Sequence, residues 1–189
     1  RVLFRSDIYS ANSELAVKVD KDISLEINSG YAANINLAKG SEVTATDSME
    51  APPTWSKNNL TDGNISTGYT TNVIANVQNG NDISDHPIDI TLNLKEQKNF
   101  NSISIYPRTD AVTADGKTPN FPTDFIIQTS TDGTNFTDVL HVQDDTNPMG
   151  KPQMYEFESQ DAQYIRLHVL KLGPYASPEI GRASCRERV

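Results

Sequence analysis

Apolar and polar residues alternate with a period of two along most of this chain and almost nowhere with a period of 3.6. The runs SLEI (24–27), IDITLNL (88–94), NSISIY (101–106), FIIQTS (125–130) and YIRLHVL (164–170) each place every second side chain on one apolar face, as half-buried strands do. The spacers hold Asn, Asp, Gly and Pro, which is turn chemistry. In STDGTNF (130–136) an Asp-Gly pair between two strand patterns predicts a hairpin turn. Helix is limited to a turn or two near 56–60. Short strands spaced in this way predict an all-β chain, an antiparallel sandwich or barrel. Ahead of residue 34, ELAVKVDKDISLEI (14–27) alternates Leu15, Val17 and Val19, then Ile23, Leu25 and Ile27, around a polar bend, and predicts a hairpin. A lone hairpin is marginal in water, so it either joins the following domain or closes a preceding one; the second reading is preferred.

The 189 residues suit one domain of ordinary size, and no apolar run is long enough to span a bilayer. Both ends differ from the Asn/Thr-rich middle. RVLFRS (1–6) and IGRASCRERV (180–189) resemble in-frame translations of sequencing-library adapters and are set aside from fold reasoning, with the natural chain expected to be cut near Pro178. The whole chain carries −9. Leaving out Arg1, Arg5, Arg182, Arg186, Arg188 and Glu187 removes a net +4 and gives −13 for the remainder. A surface of that sign repels phosphate backbones and anionic lipid, so no nucleic acid and no membrane partner is expected. The single cysteine, Cys185, lies in the suspect tail, which leaves no basis for a disulfide, a catalytic thiol or a cysteine zinc site.

Catalytic signatures are missing too. His86, His141 and His168 do not form an HExxH pattern, and neither a Gly-x-Ser-x-Gly elbow nor a phosphate loop occurs. Two stretches carry chemistry. In DGNIST (62–67) a carboxylate, an amide and a hydroxyl stand at i, i+2 and i+5 around Gly63, oxygens of the kind calcium prefers. An EF-hand is excluded, because Val73 occupies the position eleven past Asp62. The stretch reads either as a calcium loop or as an Asp-Gly turn capped by its own side chains. In YPRTD (106–110) Arg108 follows a proline at a strand end. Its planar fork of donors suits bidentate recognition of paired oxygens, and the competing reading is a surface arginine paired with Asp110 or Asp115.

Five blocks occur in a telling order: NINLAKGSEVTATDS (34–48), WSKNNLTDGNISTGYTT (55–71), IDITLNLKEQKNFNSISIYPR (88–108), FIIQTSTDGTNF (125–136) and AQYIRLHV (162–169). Together they resemble the discoidin, or coagulation factor V/VIII type C, domain, and within that superfamily are most similar to family 32 carbohydrate-binding modules. The resemblance implies an eight-stranded jelly-roll β-sandwich over 34–178 with its last strand missing. Residues 7–33 would then be the tail of a preceding β-rich domain or a linker, and 1–6 and 179–189 adapter-like. It implies a structural calcium held by Asp62, Asn64, Thr67 and the main-chain carbonyl of Asn59, with Glu179 near the place of a further carboxylate ligand. It also implies a ligand site on the loops at one end. Arg108 is the leading contact there, Tyr175 in LGPYASP (172–178) and Phe121 in KTPNFPTD (117–124) are candidate stacking rings, and Asn120 and Asp110 are candidate hydroxyl partners.

The chain departs from the galactose-binding pattern where Tyr69-Thr70 stands in place of Trp-His, which puts galactose in doubt and suits Tyr69 to a core role. Trp55 reads equally as a rim platform or as packing. The implied function is non-catalytic binding of a glycan or terminal monosaccharide, targeting a catalytic glycoside hydrolase domain in the same parent chain, outside the cell or on a bacterial surface. The alternative is a protein-binding adhesion module or a structural spacer.

Overall fold

The computed structural model describes residues 16–19, 25–28, 36–46, 48–64, 66–71, 82–107, 113, 115–145, 150–173 and 186–187. Strands β1 (Ala16–Val19) and β2 (Leu25–Asn28) pair antiparallel, Val17 opposite Ile27 and Val19 opposite Leu25, as the alternation predicts. They form a two-stranded sheet of their own. The larger sheet comprises β3 (Glu42–Ala45), β5 (Ile88–Ile105), β6 (Pro122–Ser130), β7 (Thr137–Val142) and β8 (Gln153–Leu172) in the order β3-β5-β8-β6-β7, antiparallel throughout. A short β4 (Tyr69–Thr70) pairs with β9 (Arg186–Glu187). Helix among the described residues is one 3-10 turn, Lys57–Leu60, whose Ser56 N-cap accepts from the Asn58 amide.

The patterns IDITLNL and NSISIY belong to one strand rather than two. Lys95 adopts φ +70 with its amide on Asn93 Oδ1 at 2.8 Å, and the register against β8 shifts between Asn93 and Lys98. A bulge of this kind bends a paired ribbon without ending it. The bend is large. Phe125 pairs with Val169 of β8, yet its ring also meets Tyr155 of the same strand edge-on at 5.1 Å between centroids. Fourteen residues of straight strand would span about 46 Å. The β5/β8 ribbon therefore folds back over the sheet and supplies a second layer.

The core lies between these layers. Ile88, Ile90, Leu92 and Leu94 of β5, Phe125 and Ile127 of β6, and Ile165, Leu167 and Val169 of β8 point inward from the sheet, and Phe100, Ile103 and Ile105 close over them. Phe157 packs edge-on against Phe100 at 6.1 Å. Tyr69 is fully buried and donates its hydroxyl to the Thr46 carbonyl at 2.8 Å, a satisfied core tyrosine.

Candidate functional site

The register puts the described candidate residues at opposite ends of the five-stranded sheet. One end lies beyond Glu42, Asn93 and Tyr164, where chain residues 36–41 enter β3; the other lies beyond Ile88, Val169 and Pro122.

At the first end the 3-10 turn delivers Thr61 beside β3, with the Gly40 amide on the Thr61 carbonyl at 2.9 Å and Thr61 Oγ1 on the Ser41 carbonyl at 3.1 Å. The Asp62 and Thr67 side chains then meet over the main chain of Asn64, whose own Oδ1 accepts from the Ser66 amide at 2.9 Å. Asp62 Oδ1 accepts from the Asn64 amide at 2.7 Å, and Thr67 Oγ1 lies 2.5 Å from Asp62 Oδ2 and 3.1 Å from the Asn64 carbonyl. Gly63 makes the turn at φ +76 against the stem of Lys39. Asn59 directs its side-chain amide elsewhere, to the carbonyls of Pro53 and Gly68, both at 3.1 Å. The converging donors are hard oxygens, one carboxylate with carbonyl and hydroxyl groups, and that set fits calcium. Among the described residues no cluster of three or more His, Cys, Asp or Glu is placed to hold a metal, so such an ion would depend on a single carboxylate and neutral oxygens.

At the second end several segments meet. The Gly173 amide donates to the Phe121 carbonyl at 2.6 Å, the Asp145 amide to the Thr123 carbonyl at 2.9 Å, and the Gly150 amide to Thr118 Oγ1 at 2.8 Å. Tyr155 donates its hydroxyl to Asp145. Burial, then this hydrogen bond and the carboxylate charge, push its ionisation far above the ordinary tyrosine range, so it stays a neutral donor.

The expectations for this end divide. Arg108, Asp110 and Tyr175 lie outside the described residues; Pro107 and Gly173, the nearest described residues before them, are both buried. Phe121 does not serve as a stacking platform. It is fully buried, and a ring with no exposed face cannot cover a sugar; the flanking prolines hold it in the core instead of presenting it. Asn120 is 2% exposed at φ +59, the left-handed region that asparagine tolerates, and it acts as a turn residue rather than as a hydroxyl partner on the surface. Thr70 is buried as well, and Trp55 is half-buried with its backbone bridged to Ala51 and Gly68.

Sequence reasoning missed Glu50. Its Oε1 accepts from Ser48 Oγ at 2.6 Å, from the Lys57 amide at 3.1 Å and from Lys57 Nζ at 3.4 Å. Partial burial works to raise its pKa, but hydrogen bonds from Ser48, Ser56 and the Lys57 main chain, with the Lys57 charge, outweigh it and lower the value to about 2. Glu50 is therefore an exposed, hydrogen-bonded acceptor on the segment leaving β3, held in its ionised form well below the ordinary glutamate range. Only the Ser-x-Glu spacing hinted at this, because folding brings Lys57 across from seven residues away.

Two of the three histidines lie beside carboxylates. His168 Nδ1 lies 2.6 Å from Asp89 Oδ1 and His141 Nε2 lies 2.8 Å from Asp124 Oδ1.

A profile of the F5/8 type C domain matches residues 42–185, and the chain belongs to that family. Comparison with curated proteins gave no match. Among solved structures, the chain is similar to CpGH89CBM32-5 from Clostridium perfringens in complex with GalNAc-β-1,3-galactose, at 22% identity and a TM-score of 0.56 over 81% of this chain and 99% of that one. It is also similar to chitosan-binding module 2, in complex with chitotriose, of a chitosanase/glucanase from Paenibacillus sp. IK-5, at 18% identity and 0.56 over 80% and 95%. A third likeness is to the family 32 module of C. perfringens NanJ in complex with galactose, at 20% identity and 0.53 over 78% and 92%. At these identities the likeness establishes the fold, an antiparallel jelly-roll β-sandwich. No helix among the described residues is long and apolar enough to cross a membrane.

Proposed function

We propose that this F5/8 type C domain is a non-catalytic carbohydrate-binding module that holds terminal sugars of glycans for a glycoside hydrolase linked in the same parent chain, outside the cell or at a bacterial surface. One observation carries the reading. The chain is similar in fold, over nearly their whole length, to modules solved with sugars bound.

The binding end is proposed to be the one beyond Ile88 and Val169, with Arg108 offering its fork to paired hydroxyls, Tyr175 stacking on the sugar's apolar face and Glu50 accepting from a hydroxyl. A neutral sugar has many O–H donors, and an anchored carboxylate takes one without reorganising. Asp110 remains a candidate beside Arg108. Calcium is proposed as a structural ion held by Asp62, Asn64, Thr67 and the Asn59 carbonyl, tying the loop to the start of β3. Binding without turnover still serves a linked enzyme, because a tethered domain raises the local substrate concentration.

A glycan array probed with the chain in calcium, beside Arg108→Ala and Glu50→Gln, tests this. The expected result is binding to a defined terminal sugar, lost in Arg108→Ala and weakened roughly tenfold in Glu50→Gln, the size of one charge-assisted hydrogen bond. A folded chain that binds no glycan would move protein adhesion or a spacer role to first place.

A further inference from the structure

Two residues, Asn59 and Gly68, join the loop proposed to take calcium to the loop that carries Glu50. Asn59 Nδ2 donates to the carbonyls of Pro53 and Gly68, both at 3.1 Å. The Gly68 carbonyl also accepts from the Ser56 amide at 3.0 Å, and the Gly68 amide donates to the Thr54 carbonyl at 2.9 Å. Ala51 and Trp55 close the intervening loop, each amide on the other's carbonyl, at 2.8 and 3.0 Å. Just past Trp55, the Lys57 amide returns to Glu50 Oε1 at 3.1 Å. On the other side, Gly68 follows directly on Thr67, whose hydroxyl lies on Asp62.

Asn59 therefore faces both loops. Its main-chain carbonyl belongs to the proposed calcium set, while its side-chain amide spans from Gly68 to Pro53, with a hydrogen for each carbonyl. The side chain is short, so the amide follows any displacement of its own backbone. Engaging the Asn59 carbonyl and the Thr67 hydroxyl on one ion fixes the chain beside both points from which residues 51–55 are held. That removes part of the conformational entropy which holding this loop costs. Glu50 gains by it, because Ser56 and Lys57, whose groups bond its carboxylate, follow the loop directly.

We infer that Asn59 is a positioning residue that couples the two loops, so that calcium at one end of the sheet orders the Glu50 carboxylate at the other. The inference rests on the calcium and sugar readings proposed above and adds a connection between them. Linkage is reciprocal: a sugar hydroxyl that settles Glu50 raises calcium affinity by the factor by which calcium raises the sugar's.

Trp55 is the chain's single tryptophan and lies on the coupled loop, and the Lys57 amide reports on Glu50 itself. The test is a calcium titration of the 15N-labelled chain, followed by calorimetry and by the shifts of the Trp55 indole and the Lys57 amide. Heat and both shifts are expected to saturate together, and Asp62→Asn should remove all three. Asn59→Ala keeps the main-chain carbonyl and loses the amide. It should weaken calcium about fivefold, the low end of coupling between sites, and leave the Trp55 and Lys57 signals still at saturation. Asn59→Gln, which keeps an amide donor, should restore part of their movement. A merely structural clamp would lower the melting temperature of Asn59→Ala without separating heat from shifts. Heat in the native chain with no movement of Trp55 and Lys57, or full movement in Asn59→Ala, would overturn the inference and leave the calcium reading standing. Absence of heat would overturn the calcium reading and the coupling with it. Should Asn59→Ala not fold, the native titration beside Asn59→Gln and Asp62→Asn still decides.

Discussion

Two loops of this domain begin with the same tripeptide, Thr-Asp-Gly, and do different things with it. In the first, Thr61-Asp62-Gly63, the carboxylate accepts from one amide and one hydroxyl. In the second, Thr131-Asp132-Gly133, it is enclosed. Asp132 accepts from the amides of Thr134 and Asn135, both at 2.8 Å, from Asn135 Nδ2 at 2.7 Å and from Ser130 Oγ at 2.9 Å. Both glycines turn left-handed, at φ +76 and +73. Gly133 also lies under an aromatic ring: a Cβ there would come within 3.0 Å of Tyr164, where one at Gly63 would meet only the end of a lysine stem at 3.6 Å. The identical tripeptide is thus a hairpin turn closed by several hydrogen bonds in one place and a more sparsely held loop, the one proposed to take calcium, in the other. The residues after the glycine make the difference: Thr134 and Asn135 return two amides and a side chain to Asp132 at once, while Asn64 returns one amide and Thr67 one hydroxyl to Asp62.

The contrast can be broken in order of expected size. Calcium at a hundred times its dissociation constant should stabilise the chain by about 2.7 kcal/mol. Asp62→Asn should abolish that gain and Asp132→Asn should preserve it, read as calcium-dependent melting; an equal loss in both would make the two loops alike. Next, Gly133→Ala should cost about 2 kcal/mol in urea unfolding, strain at positive φ being compounded by the Tyr164 ring, and Gly63→Ala about 1 kcal/mol, from strain alone. Equal costs would mean that the ring yields freely.

The smallest effect is in acid. The amides of Asn135 and Thr134, and then the side chains of Asn135 and Ser130, hold the Asp132 pKa well below the ordinary aspartate value of 3.8. A depressed carboxylate stabilises the fold above its unfolded value, and that contribution is lost as pH falls through the folded value. Asp132→Asn should therefore flatten the stability profile below pH 3.8. Glu50, shifted from 4.5 to about 2, should act the same way between those values, with an effect reduced by its exposure to solvent.

Legibility in the sequence divides in the same way between local and distant causes. The hairpin turn at 130–136, the 3-10 turn and the alternating strands can be read because each depends on neighbours within a few residues. Phe121 and Asn120 are misread because burial is set by segments far away, Gly173 and Asp145 among them, that close around the end of β6. The first half of β8 escapes notice although Tyr155 and Phe157 alternate with Met154, Glu156 and Glu158, since two aromatic residues among polar ones make a faint stripe. The join of two strand patterns into β5 turns on Lys95, whose left-handed backbone no residue type announces. Glu50 needs Lys57, and no period links them.

The folded-back ribbon also constrains how the domain comes into being. Strand β8 sits between β5 and β6 and pairs with both, and it is the last of the five to leave the ribosome. Its pairing joins Ile88 to Val169, a long loop whose closure costs entropy before any contact returns it. Neither layer is complete until then, because the same ribbon furnishes both. The sheet is thereby committed to assembling only once β8 has emerged, with β5 and β6 waiting as unpaired edges for the strand that will separate them.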